Sequence, residues 1–353
     1  MKFTLESEKS SASDGCSGDL IMQQAEMKAE CLIACDLCNS TDSEEISLID
    51  RDGDYLRTVI CRQCGLVYSD PRPSSEQIRN YYRSGYRVDY KATFQPKPKH
   101  VYRAGKTALE RFRRIERILK RSCRVLDFGA GSGELVFVLL AMGYEASGFE
   151  PNEGYARFAS EVLGLPVAEG FYQDVQIEPE SQDVVTAFHV IEHLESPYDA
   201  FKRVRDWLRP NGHLLVEVPN VEAVCQWPHS RFHRAHLYNF NLATLQMLGR
   251  KAGYSVVNSW ISSDGGNIMV IFQKNNELAP VSVKIPGNYE RVSCIIRNHT
   301  YLRHLFTYFP YVRPFQKIAA RIEEQRAVRK LESPREILDA LVMRELLRKR
   351  SSV

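Results

Sequence analysis

The sequence predicts an α/β protein: a doubly wound parallel sheet with helices on both faces, a small N-terminal four-cysteine module and a helical C-terminal tail. Three observations carry that expectation. Strand-like and helix-like segments alternate from residue 105 to 275, the first of those strands breaks into the glycine-spaced turn of "CRVLDFGAGSGEL", and two Cys-x-x-Cys pairs lie upstream.

Composition sets the bounds. At 353 residues, 44% hydrophobic and 26% charged, the chain can bury one large core and has residues to spare for smaller pieces. A net charge of +3 points by itself to neither nucleic acid nor membrane, although Arg291 to Val353 holds 14 Lys/Arg against 6 Asp/Glu, a local excess of +8. Residues 1–30 are polar and acidic, which predicts a disordered start unlike a signal peptide or an anchor. No apolar run reaches the ~18 residues of a membrane span. A cytoplasmic location is expected, where nine cysteines are thiols or metal ligands before they are disulfides.

Four of those cysteines define a module over 31–72. Cys35 and Cys38, then Cys61 and Cys64, sit in knuckle-like turns ("CDLCNS" and "CRQCGL") separated by 22 residues, and each short spacing lets two thiolates reach one tetrahedral ion. "YLRTVICRQCGLVYSD" reads as strand, knuckle, strand, so a zinc ribbon with a closed, structural Zn2+ site is expected, redox-active or free thiols being the other reading. Cys16, Cys31, Cys123, Cys225 and Cys294 have no such partner and read as small apolar residues.

Residues 73–104 read as a linker with a short helix, because the prolines of "SDPRPSSEQIRNYYRSGY" make a turn and Ser74 to Glu76 start a helix. Tyr81, Tyr82 and Tyr86 either lie over a cofactor or staple the ribbon to the main domain, and amphipathic aromatics are more often packed.

The domain over 105–275 is preceded and entered by an amphipathic helix spanning 101–121. Leu109, Phe112, Ile115, Ile118 and Leu119 make its apolar side; Arg111, Arg113, Arg114, Arg117, Lys120 and Arg121 read as a solvated face. Strands are expected near 124–128, 145–149, 166–169, 183–189, 214–219, 255–260 and 267–273, with helices near 133–142, 152–164, 198–209 and 241–252. Sheets of this kind bind ligands at the carboxyl ends of their strands, which puts Asp127 at the site. Gly129, Gly131 and Gly133 let the backbone turn sharply and approach a ligand ahead of a helix N-terminus. Glu150 ends the second strand 23 residues after Asp127, where a carboxylate accepts hydrogen bonds from ribose hydroxyls. A nicotinamide enzyme would use the same acid, but an aspartate inside the glycine loop suits an amino-acid ammonium better than a pyrophosphate.

In their order and spacing, "VLDFGAGSGEL", "GFEPN", "DVVTAFHVIEHL" and "LRPNGHLLVEVPN" resemble the successive motifs of class I S-adenosylmethionine-dependent methyltransferases. The resemblance implies a Rossmann-like seven-stranded sheet whose last strand, "GGNIMVIFQK", runs antiparallel. It implies that Asp127, Gly129 and Gly131, in the loop completed by Gly133, hold the methionine end, Glu150 the ribose, and Phe171 and Gln173 the adenine, with Phe188 and His189 closing over the cofactor. Together with the four-cysteine module, the chain is similar to methyltransferases of cell-surface polysaccharide and natural-product pathways, including sugar C-methyltransferases; it departs from the latter in its short, basic C-terminal segment.

Methyl transfer from a sulfonium is an in-line displacement that needs alignment, exclusion of water and, for a hydroxyl acceptor, a base. His236, in "FHRAHLYNF", is the candidate base, in an insertion expected to overhang the acceptor pocket; His193, in "HVIEHL", either supports it or orders its own loop. His229 and His233 read as exposed loop residues. Arg231, Arg234, Trp227 and Tyr238 form either an acceptor lid or a packed loop, with Phe232 and Phe240 read as packed. His189-x-x-Glu192-His193 with a distant His236 also resembles the divalent-metal arrangement of the small-RNA 2'-O-methyltransferases and some quinone O-methyltransferases.

The expected acceptor is a small hydroxylated molecule, a nucleotide-linked sugar or glycan. An RNA acceptor held by ribbon and tail, and a non-catalytic binding protein, are the rival classes. In the tail, 276–353, "YLRHLFTYFPYVRPFQKIAARI" reads as an interfacial helix pair making peripheral membrane contact, or as a docking or dimer contact. "SPREILDALVMRELLRKR", with its capping-box pattern from Ser333 to Glu336, reads as a terminal helix.

Overall fold

The computed structural model describes residues 33–85, 95–120, 122–278, 280–329, 331 and 333–351. The expected disordered start, Cys16, Cys31, Tyr86 and Arg121 lie outside the described residues.

The cysteine segment folds as β1 (Ser43–Ile49), β2 (Tyr55–Cys61) and β3 (Val67–Ser69), an antiparallel meander. Next comes α1 (Ser75–Asn80), where the Ser74 side chain accepts from the Gln77 amide and the Gln77 side chain answers at the Ser74 amide, closing a capping box. A π-turn, Tyr81–Gly85, follows it. Helix α2 (Pro98–Ile115) stops short of the expected 121, because the Ile118 amide bonds back to the Ile115 carbonyl and the tightened turn carries Leu119 into the core.

The central elements follow the expected alternation: β4 (Arg124–Phe128), α3 (Glu134–Ala141), β5 (Glu145–Glu150), α4 (Glu153–Arg157) running on into a π-turn, β6 (Val167–Glu169), β7 (Gln182–Phe188), α5 (Pro197–Trp207), β8 (Leu208–Pro219), β9 (Tyr238–Asn239), α6 (Leu242–Lys251), β10 (Tyr254–Ile261) and β11 (Asn267–Lys274). Seven of the strands make one sheet in the order β10-β11-β8-β7-β4-β5-β6, with β11 antiparallel to both its neighbours. Strand β9 instead pairs with β3 and gives the cysteine meander a fourth strand from far down the chain. Cys35, Leu37, Cys61, Cys64 and Tyr68 accordingly pack into the same apolar cluster as Leu126, Phe128 and Val216.

Four helices complete the chain: α7 (Asn288–Asn298), α8 (Tyr301–Leu305), α9 (Phe309–Val328) and α10 (Pro334–Arg350). The last is part of the core, with Ile337, Leu338, Leu341 and Val342 packed among residues of α2 and α3. Its crossing with α2 is close enough that a Cβ at Gly105 would stand 2.8 Å from methyls of Leu338 and Leu341. By contrast, the only buried residue of α9 is Glu324, held by Arg103 of α2. Among the described residues no helix is long and apolar enough to cross a membrane.

Candidate functional site

Two cavities adjoin at the carboxyl ends of β4, β5 and β7. A smaller one of 90 Å³ is walled by Phe128, Phe149, Glu150, Phe171 and Gln173 and covered by Ile78, Arg79 and Tyr82. A larger one of 560 Å³ takes in Asp127, Gly131, Ser132, Phe188, Glu192 and His236. Gly129, His189 and His193 belong to both walls and mark where the cavities meet.

The glycine turn is built as its spacing predicts. Gly129, Gly131 and Gly133 all have positive φ, +75°, +58° and +85°. A Cβ on Gly129 would come within 2.5 Å of Val190 Cγ2, and one on Gly133 within 2.6 Å of Leu165 Cδ1. Gly133 therefore serves the entry to α3 and its packing, and it is on the wall of neither cavity.

Asp127 is buried and accepts from the Thr186 hydroxyl at 2.6 Å; burial pushes its carboxyl up to about 6, against which the Thr186 bond works. Glu150 has a task the sequence did not announce: Oε2 accepts from the Gly131 amide at 2.9 Å and Oε1 from the Asn152 amide at 3.1 Å. It braces the glycine turn.

The segment after the ribbon roofs the smaller cavity. Arg79 lies 4.4 Å over the ring of Phe171 and pairs with Asp174. Asn152 Nδ2 donates to the carbonyls of Tyr82 and Arg83, at 3.3 and 3.1 Å. The Tyr82 hydroxyl donates to the Ala235 carbonyl at 2.7 Å, and the residue walls the smaller cavity.

The histidines gather where the cavities meet. His193 Nδ1 lies 2.7 Å from the Ala235 carbonyl, to which it donates, and Nε2 lies 3.7 Å from Glu192 Oε1. Ring centroids of His193 and His236 are 4.8 Å apart. Beside them Glu192 is 1% exposed, and neither of its carboxylate oxygens has a hydrogen-bond partner. Ligand atoms of Glu192, His193 and His236 lie within 4.8 Å of one another. His189 stands outside that trio, with Nε2 3.2 Å from Glu217 and Nδ1 3.4 Å from Glu192; burial works to lower its pKa, but the two carboxylates outweigh it and hold the imidazole at about 9. For His236, burial and the neighbouring imidazoles keep the ring well below the ordinary value, so it is neutral at pH 7.

Two expectations are corrected here. His233 is buried, not exposed; its Nδ1 accepts from the Ala235 amide and its ring stands 5.3 Å from that of His236, whereas His229 is exposed as expected. Of the two readings of Arg231, lid or packed loop, the structure shows a buried side chain bonded to the Val221 carbonyl and His299 that also lines the larger cavity. Arg111, read as part of a solvated face, points inward: Nη2 is 2.9 Å from Glu217 and the guanidinium covers the ring of Phe188 at 4.4 Å. No local pattern marked that role, because Glu217 lies 106 residues away.

The four ribbon thiols also converge. Cys35 and Cys64 sulfurs are 3.5 Å apart, Cys38 and Cys61 sulfurs 3.4 Å, and all four lie within 4.8 Å of one another. These separations exceed the ~2.05 Å of a disulfide and sit near the ~3.8 Å edge of a tetrahedral ZnS4 unit with Zn–S of about 2.3 Å. Both knuckles turn through a positive-φ residue, Asn39 at +61° and Gly65 at +75°. Asp36, inside the first knuckle, accepts from the Tyr198 amide at 3.0 Å and the Ser196 hydroxyl at 3.1 Å, so it anchors the ribbon to the start of α5. From β3 the Ser69 amide donates to the Leu237 carbonyl at 3.0 Å, next to His236, so the ribbon holds the segment that carries the candidate base.

Residues 100–259 match a family model described as a methyltransferase domain. An uncharacterized methyltransferase of Staphylococcus carnosus is 34% identical over 95 residues, 26% of this chain and 45% of that protein. A tRNA U34 carboxymethyltransferase of Azotobacter vinelandii is 28% identical over 146 residues, 38% of this chain and 46% of the relative. A ubiquinone biosynthesis O-methyltransferase of Azorhizobium caulinodans is 30% identical over 105 residues, covering 28% of this chain and 42% of the relative. The chain thus spans a little under half the length of these curated relatives. Among solved structures, an S-adenosylmethionine-dependent methyltransferase from Archaeoglobus fulgidus superposes with a TM-score of 0.43 at 17% identity, over 48% of this chain and 94% of that one.

Proposed function

We propose that this chain, whose residues 100–259 are a methyltransferase domain of the class I, S-adenosylmethionine-dependent kind, moves a methyl group onto a small hydroxylated acceptor, a nucleotide-linked sugar or a glycan. The observation that carries the reading is the junction of the two cavities at Gly129, His189 and His193, with a buried aspartate, Asp127, and a neutral histidine, His236, both on the wall of the larger one. The cofactor supplies an electrophilic methyl on a sulfonium. Asp127 would receive its ammonium, the carboxylate of Glu150 its ribose hydroxyls, and Phe171 and Gln173 its adenine.

On the acceptor side, His236 would take the hydroxyl proton at an imidazole nitrogen as the methyl–oxygen bond forms and the methyl–sulfur bond breaks, with S-adenosylhomocysteine as the leaving group. A polar wall that includes Thr107, Gln226, Ser230 and Asn267 supports a hydroxylated acceptor. The test is a methyl-transfer screen over nucleotide sugars, glycans, quinols and RNA at two salt concentrations, with S-adenosylmethionine binding followed by calorimetry. Turnover on RNA alone, with strong salt dependence, overturns the acceptor assignment; folded protein that binds no S-adenosylmethionine overturns the reading altogether. His236→Ala is expected to lower kcat by about 10²–10⁴-fold while leaving cofactor affinity as it was.

A second reading is favoured by one observation, the buried carboxylate of Glu192 clustered with His193 and His236, their ligand atoms within 4.8 Å of one another. Together the three would hold a divalent cation, which would lower the pKa of an acceptor hydroxyl and align it. In that case His236 is a ligand and not a base. Elemental analysis of the protein as purified, and of Glu192→Gln, separates the two: a divalent ion beyond the zinc that disappears in the variant establishes the metal reading, and its absence from the wild type leaves His236 as base. The zinc assignment of Cys35, Cys38, Cys61 and Cys64 rests on the four converging thiols and is tested by the same analysis.

A further inference from the structure

Helix α9 is an exposed helix with an apolar stripe. Tyr311, Phe315, Ile318 and Ile322 follow one another at spacings of four, three and four, which is one face of a helix, and all are exposed. The preceding α8 and its turn extend the face with Leu302, Leu305, Phe306 and Tyr308, and Phe306, at 85% exposure, is the tip of the wedge. Side chains elsewhere hold this wedge firmly in place. Trp227 packs on Tyr301 and His304 at its base, Arg313 pairs with Asp264, and Glu323 and Glu324 at the far end of α9 bind Lys106 and Arg103 of α2.

Charge says what covers the face. From Tyr301 to Ile322 there are four cations, Arg303, Arg313, Lys317 and Arg321, and no acid; with Arg313 matched by Asp264, the other three leave the face net positive. A second copy of this face would bring like charge against like charge, which is destabilising at close range. An anionic lipid surface complements it, with aromatic side chains at headgroup depth and Lys317 and Arg321 beside the stripe. We propose that α8 and α9 dock the protein peripherally on an anionic membrane. Arg313 and Asp264 are also on the rim of the larger cavity, so docking brings that cavity's mouth to the lipid boundary. The consequence for the acceptor rests on the methyl-transfer reading: the acceptor hydroxyl is presented on a lipid-anchored molecule.

The test is co-sedimentation of the full chain with phosphatidylcholine vesicles and with vesicles that also contain phosphatidylglycerol. Binding is expected to the second kind only and to weaken with salt. The double variant Phe306→Ser/Phe315→Ser and the charge variant Lys317→Glu/Arg321→Glu should each reduce it by about tenfold or more. These residues lie outside both cavities, so S-adenosylmethionine binding by each variant must match the wild type, which shows that it is folded. Two results overturn the proposal: no partition onto either vesicle by protein that binds the cofactor, or a light-scattering dimer that the same substitutions dissociate, which assigns the face to a second copy. Loss of cofactor binding in the wild type strikes the methyl-transfer reading and leaves the vesicle result to be read alone.

Discussion

At Asp127 burial holds the carboxyl near 6, above the ordinary 3.8, so its charge appears within an accessible pH range. Only the ionised form can receive an ammonium, so S-adenosylmethionine affinity is expected to rise about tenfold per unit as pH approaches 6 from below and then to level off. Titration calorimetry from pH 5 to 8 checks this, and Asp127→Asn should flatten the curve at its weak end. Glu150 makes a separable prediction. A residue that only held ribose would change affinity alone, but one that also braces the Gly131 and Asn152 amides should, as Glu150→Gln, lower the melting temperature as well, by the roughly 1–3 kcal/mol of a buried donor left unpaired. How far single residues were legible follows from the same distinction. The glycines and Asp127 were readable because their geometry is local to the turn. The bracing role of Glu150, the inward turn of Arg111 and the burial of His233 were not, because each depends on a partner that the chain brings back from elsewhere.

Among the elements, α10 shows how an apparently solvated helix becomes structural. Its Glu345 is 1% exposed and sits between Arg348 and Arg113, whose hydrogen bonds outweigh burial and hold the carboxyl at about 2 against an ordinary 4.5. A depressed acid gives stability that is complete above about 4.5 and is lost as pH falls toward 2. Melting temperature measured down that range should therefore fall, and Glu345→Gln should begin a few degrees lower at neutral pH yet lose less on acidification. Hydrophobic periodicity was enough to find the seven main strands and most helices within a few residues. It fixed the end of α2 poorly, since Ile118 and Leu119 continue the apolar spacing while the backbone has already turned. It gave no sign of β9, a strand of two residues whose reason to exist is the unpaired edge of β3.

On the scale of the molecule, the cysteine ribbon and the catalytic domain are one packed body, joined through Asp36 at α5, Asn288 at the Cys64 carbonyl and the pairing of β3 with β9. On the proposed zinc assignment, removing the ion by chelation or in Cys61→Ser is expected to lower the melting temperature and to depress turnover more than cofactor affinity, because the nearest consequence of a loosened β3 is a displaced His236. Thermal melting, calorimetry and a turnover assay on one chelated sample decide it, and equal loss of affinity and turnover would count against that route. The pairing of β3 with β9 also orders events in time. Ser69 meets His236 across 167 residues, so a ribosome making this chain releases the whole ribbon long before its fourth strand exists. Until then β3 is a bare sheet edge, open to pairing with another chain, and closing so long a loop is slow. The nascent N-terminal third is therefore the stretch of this protein most in need of a chaperone, and fragments that end before Tyr238 are the ones expected to aggregate.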